Sequence, residues 1–191
     1  FPLRIERYET IPDSGGAGLH RGGNGLSVAY RFLCDGDIGI HDERWLTYPW
    51  GVLGGETGLR STKRLVRVDG SEEWLPAKAE GIKVKTGDML YFNTWGGGGW
   101  GDPFARDPEL VRQDINRRLV TVEGAKRYGV VMAADGSVDE GATKKLRSEL
   151  KAAAGEPTLF NFGGDVEEIR NRCEAETHLP APTKPVFIGS K

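Results

Sequence analysis

Residues 94–103 of the sequence are TWGGGGWGDP, a run in which four consecutive glycines lie between two tryptophans. A second glycine-rich stretch, residues 13–25, is DSGGAGLHRGGNG. Glycine permits positive φ angles, and it lets another backbone or a ligand approach closely because it has no Cβ. Glycine clusters also make bulges and tight corners in β-rich folds. The two stretches therefore indicate either ligand-binding loops or closely packed β corners.

The composition is that of a folded globular protein. Of 191 residues, 28 are glycine, while the 38% hydrophobic and 28% charged residues are ordinary shares. The net charge of -2 provides no field that would attract nucleic acid or an anionic membrane. No apolar run reaches the roughly 18 residues of a membrane span, and two distant cysteines predict no disulfide framework. We therefore expect a cytoplasmic protein without nucleic-acid or membrane partners.

The hydrophobic pattern predicts an α+β fold, with a β-rich N-terminal two-thirds, Gly-rich loops, and helices after about residue 105. Apolar residues alternate with polar ones over 26–33, which is typical of a strand with one buried face. Shorter strands are expected at 65–68, 82–85 and 89–94. Residues 34–63 are interpreted as irregular because glycines interrupt them, and as a packed loop because they contain Trp45, Tyr48 and Trp50.

Local signals predict the later elements. Asp107 followed by Pro108 is typical of a helix start, and a second short helix is expected from Thr121 to Gly129. A charged helix is predicted over 140–154. A final amphipathic helix is expected after Asp165, with Val166, Ile169 and Cys173 on one face. A strand is predicted over 130–133, and a tail containing Pro180, Pro182 and Pro185 closes the chain.

Known nucleotide and metal motifs do not fit the sequence. Neither glycine stretch contains the lysine of a P-loop, and Gly16-Ala17-Gly18 lacks the third glycine of a dinucleotide fingerprint. The three histidines have no partners at metal-binding spacing. We therefore expect no metal ligands and no bound cofactor in this chain alone.

The glycine stretches contain the candidate site residues. His20 lies beside Arg21 and near Asp13, a set suited to binding an oxyanion or carrying a proton. Asp102 precedes a proline and could orient a substrate group, or only form a turn. We predict a catalytic role for Asp13, His20, Arg21 and Asp102. We predict substrate contacts for Ser14, Gly15, Gly16, Trp95, Gly97, Gly98, Gly99 and Trp100, since consecutive amides form anion nests and the tryptophans could wall an apolar pocket.

Four stretches together resemble the hydantoinase B / 5-oxoprolinase family, which includes large subunits of ketone carboxylases. They are FPLRIERY at 1–8, the glycine stretch from Asp13 to Gly23, GGGGWGDP at 96–103 followed by Arg106-Asp107-Pro108, and the segment from Glu123 to Val131. Their order and spacing agree with the family over residues 1–132. That range is interpreted as the C-terminal part of a B-type domain, and 133–191 as a helical extension with a Pro-rich tail.

The resemblance implies an enzyme component that works in a hetero-oligomer. Its partners would be an A-type ATPase subunit, which holds ATP and magnesium, the remainder of the B-type subunit, and a small-molecule substrate. The implied reaction is ATP-dependent hydrolysis of a cyclic amide such as a hydantoin, oxoproline or lactam. A manganese or zinc ion would belong to the N-terminal part of the B-type subunit, whose Gly-Gly-Thr-His type motif is absent from this sequence.

Three alternatives stay open. Trp95 stands where many cyclic amide hydrolases have proline, and Trp100 replaces a frequent tyrosine, so an apolar substrate and a ketone carboxylase are both compatible with the sequence. A non-catalytic assembly module is compatible with the lack of a nucleophile or metal motif. The five tryptophans also leave room for a free-standing carbohydrate-binding or small-molecule-binding domain.

Overall fold

Antiparallel strands make up most of the first half of the chain. The structure, a computed structural model, describes residues 1–183. Its strands are β1 (Leu3–Thr10), β2 (Leu26–Phe32), β3 (Gly36–His41), β4 (Gly51–Val52), β5 (Thr62–Val66), β6 (Glu72–Trp74), β7 (Lys78–Val84), β8 (Met89–Asn93) and β9 (Phe160–Asn161). They form a five-stranded sheet in the order β1-β2-β8-β5-β6 and two separate pairs, β3-β7 and β4-β9. The predicted α+β fold with a β-rich N-terminal part is confirmed.

The main sheet follows the period-two pattern of the sequence. Val28 pairs with Phe92 and Tyr30 with Leu90 across the β2–β8 ladder, so alternate residues share a face. One end of this face packs against the β3-β7 pair. The buried residues there are Phe32, Ile40, Leu65, Leu75 and Val84. These residues come from the main sheet and from the strand pair, so the two bury apolar side chains against each other.

Two sequence predictions about the strands are wrong in detail. Residues 34–63 are not wholly irregular, because β3 and β4 lie within them. Strand β3 contains two glycines, which have low strand propensity, and it is stabilised by pairing with the distant β7. No strand forms at 130–133 in the described structure, where a single bridge joins Met132 to Val138. One bridged residue on each side of the turn is too little pairing to form a β-ladder.

Three α-helices follow β8, as predicted, and β9 lies between the second and the third. They are α1 (Pro108–Asn116), α2 (Glu140–Ala153) and α3 (Val166–Thr177). Asp107, Asp139 and Asp165 cap their first turns through side-chain carboxylates. Within residues 1–183, every helix is too short or too polar to cross a lipid bilayer.

The expected short helix near residue 124 is a 3₁₀ turn over 124–128. Gly129 ends it in the left-handed conformation, with φ of 64°. Its residues join the second hydrophobic cluster of the fold. That cluster contains Ala17, Val111, Val120, Ala125, Tyr128 and Val130. Because Ala17 belongs to the first glycine stretch, this cluster fixes the stretch against the helical part of the chain.

Helix α3 docks on the loop that follows β3. Ile169 and Cys173 are buried as predicted, whereas Val166 is 66% exposed, so its placement on the buried face was wrong. Glu176 accepts a hydrogen bond from the Tyr48 hydroxyl at 2.7 Å and pairs with the Arg60 guanidinium at 2.5 Å. These contacts explain the orientation of the helix. The predicted Pro-rich tail includes Pro185, which lies outside the described residues.

A buried carboxylate links the turn after β5 to the turn before β8. Asp88 is 2% exposed and accepts hydrogen bonds from the backbone amides of Lys85 and Val68. Burial opposes ionisation of the Asp88 carboxyl, but these bonds, with the Arg67 guanidinium, outweigh burial and hold its pKa below the usual 3.8. The ionised form therefore stabilises the folded state.

This lowered pKa predicts an acid-dependent effect of Asp88→Asn. We expect the substitution to lower the free energy of unfolding by about 2 kcal/mol at pH 7, because an amide cannot accept both bonds in the same way. The stability difference between the variant and the unsubstituted protein should be fully present above pH 3.8, the usual pKa of the carboxyl. It should disappear as the pH falls through the lower pKa that Asp88 has in the folded state. Urea unfolding from pH 7 to pH 2 measures it. Asp37→Asn, at an exposed residue, is the control, and equal pH profiles for both variants would contradict the assignment.

Candidate functional site

Three extended segments lie side by side where the glycine stretches meet. We call residues 14–25, 50–58 and 96–101 the glycine bundle. Their backbones are joined by hydrogen bonds, for example from Gly16 N–H to the Gly97 carbonyl at 2.8 Å and from Gly99 N–H to the Glu56 carbonyl at 2.8 Å. The Glu56 N–H donates in turn to the Ala17 carbonyl at 2.7 Å. The two predicted stretches therefore share one structure, together with a third segment that sequence analysis treated as an irregular loop.

Glycine, which has no side chain, permits this close packing of the three segments. A Cβ added at Gly98 would overlap the Trp50 carbonyl, and one at Gly99 would overlap the Ala17 carbonyl. The same holds at Gly16 against the Glu56 carbonyl. Neighbouring segments thus approach to distances that only glycine allows. The glycines at 51, 55 and 58 show the same pattern, and their close spacing in the sequence is the signal that could have revealed the third segment.

Three of the five glycine amides predicted to bind an oxyanion have hydrogen-bond partners in this structure. Gly16, Gly97 and Gly99 each donate an N–H to a backbone carbonyl of a neighbouring segment. An oxyanion would have to displace these bonds. The contacts give the amides a role in holding the bundle together, and their contact with substrate stays a prediction.

Asp13 and Ser14 lie at the start of the bundle and hold it to its surroundings. The Asp13 carboxylate accepts hydrogen bonds from the Thr121 backbone N–H at 2.9 Å and from the Thr121 hydroxyl at 2.6 Å. The buried Ser14 hydroxyl donates to the Ile11 carbonyl at 2.6 Å and accepts from the Gly25 N–H at 2.8 Å. Both side chains thus position the loop, and both have structural reasons to be present.

Arg21 takes part in a partly buried ion-pair network. Its Nε lies 3.2 Å from Oδ2 of Asp114, a carboxylate that is 7% exposed. Arg106 binds the same oxygen through Nη2 at 2.9 Å. Two guanidinium groups therefore neutralise one buried carboxylate, and they connect the first glycine stretch to α1. Asp114 was not among the predicted site residues.

Asp102 caps a short 3₁₀ turn and lines a cavity. Its Oδ1 accepts a hydrogen bond from Phe104 N–H at 2.7 Å, and its Oδ2 lies 3.6 Å from Nζ of Lys151. The cavity has a volume of about 330 Å³, with Glu56 and Lys151 also on its wall. A cavity of about 490 Å³ between α1 and α2 shares Lys151. This edge of the bundle offers charged groups of both signs, and sequence analysis did not single out Glu56 or Lys151.

His20 and Trp100 form the most exposed part of the predicted site. Their backbones pair in both directions, His20 N–H to the Trp100 carbonyl at 3.0 Å and Trp100 N–H to the His20 carbonyl at 2.9 Å. Their rings lie 5.4 Å apart. Trp100 is 45% exposed and Trp95 is 38% exposed. These side chains are therefore available to a ligand or to another polypeptide, unlike Asp13 and Ser14.

Metal ligation is not supported by the described residues. Within residues 1–183, no group of three or more histidine, cysteine, aspartate or glutamate side chains is arranged to hold an ion. We assign no metal ligand to this part of the chain.

A match over residues 1–103 to the sequence profile described as hydantoinase B/oxoprolinase covers the main sheet and all three segments of the glycine bundle. The chain belongs to this family. It is 34% identical over 155 residues to the caprolactamase subunit beta of Pseudomonas jessenii, an alignment that covers 78% of this chain and 26% of the relative.

Solved structures show the same fold. The crystal structure of the ATP-dependent caprolactamase from Pseudomonas jessenii matches with a TM-score of 0.66 and 31% identity, covering 78% of this chain and 26% of that chain. Nucleotide-free acetone carboxylase matches with a TM-score of 0.61, covering 92% of this chain and 27% of that chain, and at 21% identity it shows the fold alone. The present chain thus spans about a quarter of the length of these relatives.

Proposed function

We propose that this chain is the C-terminal part of a B-type subunit that acts with an A-type ATPase in ATP-dependent hydrolysis of a cyclic amide, with the lactam class preferred. The observation that carries the proposal is the joint sequence and fold similarity to caprolactamase, at 34% identity and a TM-score of 0.66. The nucleotide and its magnesium ion are assigned to the A-type subunit. A manganese or zinc ion is assigned to B-type sequence outside this chain.

The proposed chemistry explains the need for ATP. An amide carbonyl is a poor electrophile, and phosphorylation of its oxygen by the A-type subunit turns a bad leaving group into a good one. Water then adds to the activated carbon and gives up a proton, and the tetrahedral adduct collapses by breaking the C–N bond, whose nitrogen takes a proton and leaves as the amine. A second water hydrolyses the resulting acyl phosphate to the carboxylate and inorganic phosphate. In this scheme His20 and Trp100, which lie exposed at one edge of the glycine bundle, face the reacting ring. Histidine suits proton transfer at this step.

In this proposal, the other predicted residues hold or surround the reacting groups. Asp13, Ser14 and Arg21 hold the loop that presents His20, through the bonds to Thr121, Gly25 and Asp114. Asp102 lines the neighbouring cavity with Lys151. The glycines provide a rigid backbone on which this loop rests, because their segments are bonded to one another.

The second candidate is a non-catalytic assembly module. It is favoured by the structural partners of Asp13, Ser14, Arg21 and Asp102, which account for these residues without any substrate. Ketone carboxylation is a further alternative, based on the fold shared with acetone carboxylase.

Reconstitution tests these candidates. The chain is combined with the A-type and B-type companion subunits purified with it, and ring opening of caprolactam, 5-oxoproline and hydantoin is measured by release of the new amine, with and without ATP. We expect ATP-dependent opening of at least one ring. Incorporation of labelled bicarbonate into a ketone would instead support carboxylation, and activity of the companions without this chain would refute a catalytic contribution.

Substitution of His20 separates catalysis from assembly. We expect His20→Ala to lower kcat about 100-fold in the reconstituted complex, with unchanged native mass, because a proton-transfer group is lost. His41→Ala is the matched control, since His41 lies exposed on β3 beside Glu80. Full activity of His20→Ala would favour the assembly module.

A further inference from the structure

Four extended segments place their side chains in one row beside the predicted site. Phe160 pairs with Val52, Val52 pairs with Trp100, and Trp100 pairs with His20. Directly paired residues of neighbouring extended segments point to the same face. The row therefore runs from β9, through β4 and residues 96–101 of the bundle, to His20.

Two further aromatic residues widen the row at one end. Trp50, two residues before Val52, lies 6.0 Å from the Phe160 ring and 5.4 Å from the Phe162 ring. We call Phe162, Trp50, Phe160, Val52, Trp100 and His20 the aromatic row. Trp50, Phe160 and Phe162 are 44%, 44% and 47% exposed. The row thus holds four aromatic side chains, Trp50, Phe160, Phe162 and Trp100, that the described residues leave partly open to solvent.

The ring orientations distinguish between classes of ligand. Trp50 meets Phe160 at 75° and Phe162 at 73°, so Trp50 stands edge to face with both, while Phe160 and Phe162 are tilted to each other by 32°. A sugar stacks on a ring whose face is open, and neighbouring rings at these angles make ridges and grooves instead. Ridges and grooves of this kind interlock with side chains of another polypeptide, as in a protein interior. The geometry therefore favours a protein over a carbohydrate as the occupant.

A cavity beside the row could accept an apolar side chain of that polypeptide. It has a volume of about 390 Å³ and is lined in part by Trp50, Phe162, Val166 and Ile169. The guanidinium of Arg44 lies 5.1 Å from the Trp50 ring at the margin. Apolar residues in the centre with a charged residue at the rim are the arrangement found in stable interfaces.

We propose that the aromatic row is the surface on which the remainder of the B-type subunit docks. The inference rests on the proposed function, which makes this chain one part of such a subunit. The relative is about three times as long as this chain, since an alignment over 78% of this chain covers 26% of caprolactamase subunit beta. The parts of one subunit stay associated permanently, and permanent interfaces are more apolar than transient ones. A row whose one ionisable member, His20, lies at its end fits the permanent contact better than reversible contact with an ATPase subunit.

Docking at this surface also affects the proposed active site. His20 and Trp100 belong to both the row and the predicted site. The remainder of the B-type subunit would therefore cover one side of these residues and exclude water from it. Without its companion, the chain forms only one side of the proposed active site.

Photo-crosslinking tests the proposal. The 191-residue chain carrying p-benzoylphenylalanine at position 162 is mixed with the companion A-type and B-type subunits that co-purify with it, irradiated, and digested for peptide identification. We expect crosslinks to the B-type companion. The same group at position 110 is the control, because Leu110 on α1 is similarly exposed, at 43%. Crosslinks to the ATPase subunit or to a second copy of this chain, or none from position 162, overturn the proposal.

Affinity measurements give an independent result. Phe162→Ala and Trp50→Ala should each weaken binding of the B-type companion about tenfold or more, while Leu110→Ala leaves it unchanged. Melting temperatures confirm folding, and Phe162→Ala carries the test if Trp50→Ala unfolds. An active complex with unchanged affinity for both variants refutes the docking surface alone. A crosslinked complex that opens no ring refutes the proposed activity alone, and a chain that co-purifies with no B-type companion refutes both.

Discussion

Gly98→Ala is expected to prevent the glycine bundle from forming, with a loss of about 4 kcal/mol or more in the free energy of unfolding. The added Cβ would overlap the carbonyl group of Trp50, which is backbone that no rotamer change can move aside. Removing this overlap would require the segments at 50–58 and 96–101 to separate. Their separation would break the bonds from Val52 N–H to Gly99 and from Gly101 N–H to Val52. Urea unfolding followed by tryptophan fluorescence measures the change.

Gly23→Ala is the matched control within the same bundle. No heavy atom lies within 4 Å of a Cβ added at Gly23, so the change should stay within about 0.5 kcal/mol of the unsubstituted protein. Because both substitutions add one methyl group to a glycine-rich segment, a difference between them reports on packing and not on chain stiffness. Equal stability of the two variants would show that the segments are not in close contact.

Lys63→Met should cost about 3 to 5 kcal/mol of stability, since it leaves the buried carboxylate of Asp42 without its counterion. Both side chains of this pair are 1% exposed, and Ser61 also donates to the carboxylate. Burial lowers the pKa of Lys63, while the Asp42 carboxylate opposes this effect. The pair is thus held together in an environment that disfavours either charge alone.

The double substitution Asp42→Leu with Lys63→Met separates pairing from burial. Apolar residues of similar volume remove both charges, and stability should return to within about 1 kcal/mol of the starting protein or exceed it. Lys83→Met, which breaks an exposed pair with Asp37, should have little effect. Chemical denaturation of the unsubstituted protein, of Asp42→Leu and Lys63→Met singly, and of the double variant measures the cycle. A double variant as unstable as Lys63→Met would show that the charges themselves are needed.

Elements with local signals were predicted well. Helices α1 and α3 begin directly after Asp107 and Asp165, because a carboxylate cap acts on amides two or three residues away. Strand β2 was found by alternation within a single run of residues. Strand β3 was missed, since its glycines oppose strand formation and its stability comes from β7, some forty residues later. The predicted strand at 130–133 was wrong for the opposite reason, because within residues 1–183 it pairs with no strand and makes only one bridge.

Much of the candidate site depended on contacts between distant residues. Sequence analysis selected Asp13 and Arg21 for their neighbours in the chain, whereas the structure joins them to Thr121 and Asp114. Trp50 was recognised only as part of a packed aromatic loop. Its relation to Phe162, more than a hundred residues later, exists only after β4 and β9 pair.

The sequence alone determined the family, the α+β order of elements, the helix starts, and the need for close backbone approach at the glycines. Each of these depends on residue type or on interactions within a few residues of the chain. Tertiary structure alone decided which backbones the glycines meet, which side chains satisfy Asp13 and Arg21, and how six residues from four segments form the aromatic row. These features require ends of long loops to come together, and no local pattern specifies which segments will meet.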